Sequence, residues 1–84
     1  LYVLNDYNDR NTVVAHLSLD HNERAMELLA TMPKDAVTEY LRAIACSRLG
    51  RKAEGREHFL EACRLDGRME YRGNLDPEIA ELLK

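Results

Sequence analysis

Apolar residues return every three or four positions over most of this chain, the period of one face of an α-helix. The clearest run is 36–49, AVTEYLRAIACSRL, where Val37, Tyr40, Leu41, Ile44, Ala45 and Leu49 form one stripe. Pro33 precedes it, and Asp35 stands where a carboxylate accepts from the free amides of a helix start. Gly50 follows, a residue that adopts the left-handed conformation of a helix end cheaply. The next segment, RKAEGREHFLEACRL, carries Ala53, Phe59, Leu60, Ala62 and Cys63 with the alkyl stem of Arg56. Gly55 inside that pattern costs about 1 kcal/mol relative to Ala, which predicts a point where another helix comes close. Asp66-Gly67 closes the segment. Two helices on a short connection lie antiparallel, so 36–65 is expected to be an αα-hairpin.

The same grammar recurs upstream. Val13, Val14, Leu17 and Leu19 predict a helix over 11–19 that begins as early as Asp6 or Asp9. Asp20-His21-Asn22 reads as a turn with Asn22 capping the next helix, where Ala25, Leu28 and Leu29 repeat before Met32 and Pro33. Residues 1–5, LYVLN, are apolar and short, and fit either an extended segment or the end of an earlier helix. Downstream, Gly73-Asn74 reads as a turn, and Gly67 argues against a helix that would align Arg64, Arg68 and Arg72. Asp76-Pro77-Glu78 is a helix start, with Asp76 as cap and Pro77 at the first helical position. Ile79, Leu82 and Leu83 give that last helix one apolar edge.

Eighty-four residues allow one small domain. Such a chain buries only about 60–65% of its unfolded surface, so its stability surplus is small. The composition, 45% apolar and 32% charged with four Gly and two Pro, is globular and not disordered or fibrous. An apolar run such as Ala43-Ile44-Ala45-Cys46 is far below the ~20 residues of a membrane span. A net charge of −3 is the wrong sign for a general nucleic-acid binder. The first residue is Leu1, which predicts a chain excised from a longer one, so localisation stays open.

Overlaying the helix pairs shows an internal repeat. Ala15 matches Ala45, Leu19 matches Leu49, and the turn residues Asp20 and Gly50 stand thirty positions apart. Ala25 then falls opposite Gly55 and Leu29 opposite Phe59. Repeated helix pairs at this period predict a solenoid, whose terminal unit needs a polar-faced cap. The segment 40–66 resembles a tetratricopeptide repeat. That family's small residue midway along its first helix is matched by Ala43, its core residue three later by Cys46, and its turn Gly by Gly50. The small residue early in the second helix is matched by Gly55, the aromatic by Phe59, the Ala by Ala62, and the Leu-Asp close by Leu65-Asp66. Arg42 stands where Leu is usual, and Gly67 where Pro is usual. In the first repeat, Thr12 takes the Leu position and His16 the aromatic one, and the second helix is about a turn short. The chain also resembles the repeat-bearing tail of larger bacterial envelope proteins, which implies a periplasmic-side location.

Few residue groups suggest chemistry. His16, His21 and His58 include no i, i+3 or i+4 pair, so no helical metal pair is expected. His16 is expected inward, His21 in a turn, and His58 on an exposed flank beside Glu57 and Glu61. Cys46 and Cys63 make no Cys-x-x-Cys pair and are expected to pack as small hydrophobes, a disulfide requiring that their helices bring them together. A Cys46–His58 nucleophile would need an activated thiolate and an orienting third group. No Gly-rich phosphate loop and no Ser/His/Asp order occurs. Arg42, Arg48, Arg51, Lys52 and Arg56 form a basic patch, but Glu54, Glu57 and Glu61 on the same second helix would repel phosphate.

The expected fold is all-α: a right-handed solenoid fragment with a degenerate first repeat at 7–33, a second at 35–66 and a capping helix at 76–84. No enzymatic activity, cofactor or metal is expected. The resemblance implies a protein-interaction module whose first helices line a concave groove for a peptide or partner protein. By position, the groove residues are Asn11, Thr12 and Ala15, then Thr38, Glu39, Arg42 and Ala45. The alternative is a structural or self-association segment packing through Tyr2, Val3, Leu4, Tyr7 and Val14 onto another repeat of the parent chain or a second copy.

Overall fold

The computed structural model describes residues 10–83, which form six α-helices and no strand. They are α1 (Arg10–Ser18), α2 (Asn22–Ala30), α3 (Ala36–Arg48), α4 (Lys52–Leu65), α5 (Arg68–Asn74) and α6 (Pro77–Leu82). The protein is all-α. Residues Tyr2, Val3, Leu4 and Tyr7, assigned above to a self-association face, lie outside the described residues.

Local chemistry sets the helix boundaries. The Asp35 carboxylate accepts from the Thr38 amide at 2.8 Å, and Asp76 accepts from the Glu78 amide at 3.0 Å, with Pro77 opening α6. Helix α2 differs from expectation: Asn22 is its first helical residue, and the capping position falls to His21, whose side chain makes no capping bond.

Helices α1 and α3 stop in the same way. The His21 amide donates to the His16 carbonyl and the Arg51 amide to the Cys46 carbonyl, both at 2.8 Å. One residue earlier, the Asp20 amide donates to Leu17 and the Gly50 amide to Ser47. This paired bonding is the Schellman motif, and it requires a left-handed residue just past the helix. Gly50 supplies it at φ +79°, and Asp20 supplies it at φ +61°. A side chain is strained there where glycine is not. Asp20→Gly is therefore expected to stabilise the protein by about 0.5–1 kcal/mol, read as a higher urea midpoint at unchanged slope. The 3.6 Å contact of Asp20 with Arg48 is too exposed to offset this.

Two cores flank α3. Val13, Leu17, Ala25, Leu28 and Leu29 close on its Leu41 and Ala45. Phe59, Ala62, Met69, Ile79 and Leu82 close on its Tyr40 and Ala43. Val37 packs against both. A helix apolar on more than one side is an interior helix, and α3 is the spine on which α1–α2 and α4–α6 are mounted. Two cores in a row give an elongated body of 40 × 24 × 20 Å.

Several expectations change. The buried stripe of α4 runs through Gly55, Phe59 and Ala62, while Ala53 and Leu60 face solvent, Leu60 at 63% exposure. Val14 and Leu19 are also exposed. Residues 68–74 are helical, and Gly73 lies inside α5 rather than in a turn. Helix α4 stops before Gly67, so Arg64 is not on one helix with Arg68 and Arg72, yet Gly67 stands at the start of a new helix. Its neighbour Asp66 accepts from the Arg68 amide at 3.0 Å, which starts α5. The helix expected at 76–84 forms as α6 and packs on both α3 and α4.

Candidate functional site

The expected groove residues do not form one surface. Thr38, Glu39 and Ala45 are buried, at 1%, 2% and 0% exposure, so they present nothing to a partner. Ala45 belongs to the first core, because the alternation of two buried faces on α3 leaves that position inside. Thr12 and Arg42 are half-buried, and Ala15 is exposed on α1. The side chain of Asn11 lies outside the described residues. Among them Glu39 and Arg42 are in direct contact, at 3.3 Å.

Arg42 was expected in the groove by its position, as a charge where Leu is usual. The structure gives it another task. Its Nη2 donates to the Leu29 carbonyl at 2.6 Å, in the last turn of α2. Arg48 does the same for α1 by donating to the Leu17 carbonyl, and its other nitrogens bond Glu78 Oε1 at 2.8 Å. Arg56 donates to the Leu82 carbonyl at the end of α6, at 3.2 Å. The last carbonyls of a helix have no partner within it and carry its negative end. Three arginines of the basic patch, Arg42, Arg48 and Arg56, thus cap three helices in trans.

A polar cluster sits between α3 and α4. Glu39 Oε1 lies 2.8 Å from His58 Nδ1, and its Oε2 faces Arg42 without hydrogen-bond geometry. Thr38 Oγ1 and Arg42 Nε are buried without a hydrogen bond. His58 is therefore half-buried and engaged with the neighbouring helix, not on an open flank beside Glu57 and Glu61. The cluster ties three helices together, and no pocket opens onto it or elsewhere among the described residues.

The sulfur chemistry is equally closed. Cys46 is fully buried against Gly55, and burial pushes its thiol above the ordinary range, away from a reactive thiolate. The His58 ring nitrogen Nδ1 is engaged with Glu39 instead. Cys63 is half-buried with its thiol likewise raised by burial, and the two cysteines are free. Tyr40 is fully buried, and desolvation, with its donated bond to Asp76 Oδ2 at 2.8 Å, raises its hydroxyl well above the usual range. On the surface Glu61 is held down to about 2, first by Arg64 and then by Lys34, which tethers the α2–α3 connection to α4.

One pair escapes the helical spacing rule. His16 and His21 are five apart, yet their Nδ1 atoms are 3.5 Å apart with ring centroids at 5.7 Å. The turn between them, not a helix face, brings them together. Among the described residues no group of three or more His, Cys, Asp or Glu converges as a metal site. No described helix is long and apolar enough to cross a membrane.

No family model matches this chain, and neither does any curated protein or solved structure.

Proposed function

We propose that this chain is a non-enzymatic protein-interaction module of tetratricopeptide-like type, holding a peptide or partner protein against its repeated helix pairs. The observation that carries the reading is the duplicated stop: two helix–turn–helix units whose Schellman motifs fall thirty residues apart with the same bonding. Units of that kind stack and leave one helix of each pair on a common face. With Ala45, Thr38 and Glu39 buried and Arg42 capping α2, the open part of that face is the α1 side around Ala15 and Thr12.

Peptide selection by display on the folded chain tests this. Selected peptides are expected to bind saturably in calorimetry and to weaken about tenfold or more with Ala15→Arg. Leu60→Arg, on the exposed side of α4, is expected to leave binding unchanged. Peptides that ignore Ala15→Arg and respond to Leu60→Arg would place binding on the opposite side.

A second reading has its own support. Tyr71, Leu75 and Leu83 are 71%, 70% and 47% exposed, an apolar presence at the α5–α6 end that suits packing against more protein. A structural or self-associating segment would show a concentration-dependent rise in mass by sedimentation. The interaction module would sediment as a monomer.

A further inference from the structure

We infer that His16 and His21 form a two-imidazole chelate for a borderline divalent transition metal, with Cu²⁺ the tightest. The inference is independent of the partner-binding reading.

The backbone places the two rings. In a Schellman motif the third-last helical residue and the second residue past the cap are bonded amide to carbonyl, and their side chains meet. In α1 those two positions are His16 and His21, joined by the 2.8 Å bond from the His21 amide. In α3 the same positions hold Cys46 and Arg51, so the imidazole pair belongs to the first turn alone. The contact follows from the turn, and the turn is held by four backbone bonds from residues 19–21.

The geometry suits a shared ion. The ring centroids stand 5.7 Å apart but the Nδ1 atoms only 3.5 Å, so the two nitrogens face each other. A metal bonded to both at about 2.05 Å would see them roughly 115–120° apart, close to a tetrahedral or trigonal angle. Without metal, one Nδ1–H donates to the other Nδ1. A metal takes the place of that proton as the donor ring changes tautomer to carry its hydrogen on Nε2, where the acceptor ring already carries its own. His21 is exposed and His16 half-buried, so the ion has a path in and open positions for water. Neutral imidazoles select Cu²⁺, Ni²⁺ and Zn²⁺ over Mg²⁺, and Cu²⁺ leads that series.

The experiment uses untagged protein titrated with CuCl₂, ZnCl₂ and MgCl₂ by calorimetry and by proton–nitrogen NMR. One Cu²⁺ per chain is expected, Zn²⁺ more weakly, and no response to Mg²⁺. Signals at residues 16–21 move before any others. His21→Gln and His16→Gln are each expected to weaken Cu²⁺ about tenfold or more, the loss of one of two imidazole ligands. His21 makes no side-chain capping bond, so its replacement leaves the helix start intact, and circular dichroism checks this. His58→Gln, whose ring bonds Glu39, leaves Cu²⁺ affinity unchanged. Zn²⁺ also raises the melting temperature of the parent and not of His21→Gln. Absence of saturable Cu²⁺ binding, or binding that survives both His16→Gln and His21→Gln, overturns the inference.

Discussion

Gly55→Leu is expected to unfold the protein well below the parent temperature, at a cost of about 1–3 kcal/mol or more. A β-carbon on Gly55 would lie 2.7 and 3.1 Å from the Leu82 methyls and 3.2 Å from the Cys46 β-carbon. Leu82 and Cys46 are both fully buried, so a larger side chain has nowhere to go. For a domain this size each kcal/mol lowers the melting temperature by about 4–8 °C. Alanine is a different case, because the nearest atom is the end of a flexible side chain. The roughly 1 kcal/mol that Ala gains over Gly in a helix offsets the displacement of Leu82, and Gly55→Ala should be near neutral. The crossing is diagnosed by Leu82→Ala, which alone costs about 2–5 kcal/mol. Combined with Gly55→Leu, it is expected to cost less than the two losses added, by about 0.5–3 kcal/mol. Strict additivity in urea titrations would show that the two side chains do not meet.

Gly73→Ala is expected to reverse the usual sign of a glycine-to-alanine change in a helix. Ordinarily that change stabilises by about 0.5–1 kcal/mol. Here the added carbon would lie 2.5 Å from both Cε1 and Cζ of Phe59 and 3.2 Å from Ile79 Cγ2. The Phe59 ring is a rigid plate, nearly fully buried, with its edge toward Tyr40 at 6.1 Å between centroids. It does not step aside as a leucine end does. A loss of about 1–3 kcal/mol follows, measured as a lower urea midpoint. Phe59→Leu in the same chain, which removes the plate, should recover part of that loss. A Gly73→Ala protein as stable as the parent would show that α5 does not rest on Phe59.

Both glycines show how far the pattern of residues reaches. Gly55 was legible as a close-approach point, since glycine within a helical stripe is costly without a reason. The paired helix α3 supplies Cys46 there, and the second neighbour is Leu82, twenty-seven residues further on. Gly73 was read as a turn because Gly-Asn usually punctuates. The helix holds because Phe59 and Ile79 need a bare backbone to rest on, a tertiary demand that outweighs helix propensity. The short helix α5 was missed for the same reason: its seven residues are too few to signal by period, and it is held by Met69 in the second core and by Arg72 stacked 5.0 Å over Tyr40.

The candidate site was less legible than the fold. Arg42 drew attention as a charge in an apolar slot, but a charge says nothing about its partner. That partner is the Leu29 carbonyl, thirteen residues back. The same holds for Arg48 and Arg56, which bond carbonyls at the ends of other helices. The His16–His21 contact was hidden because periodic rules search helix faces, whereas a Schellman turn brings together residues five apart. A helix stop followed by His at the second position past the cap, with His in the last turn, is the signal that would have found it.

By itself the sequence determined the all-α class, the stops at Asp20 and Gly50, the caps Asp35 and Asp76, and the burial of Tyr40, Leu41 and Ala45 on α3, though as one stripe and not as two core faces. These follow from backbone amides, φ preference and burial period within one turn of chain, so neighbours in sequence decide them. Only the tertiary structure decided that Glu39 meets His58, that arginines close foreign helix ends, that α5 forms, and which faces of α1 and α4 stay wet. Those outcomes turn on which distant surface arrives opposite each side chain, and in a stack of short helices that is settled by packing rather than by local preference.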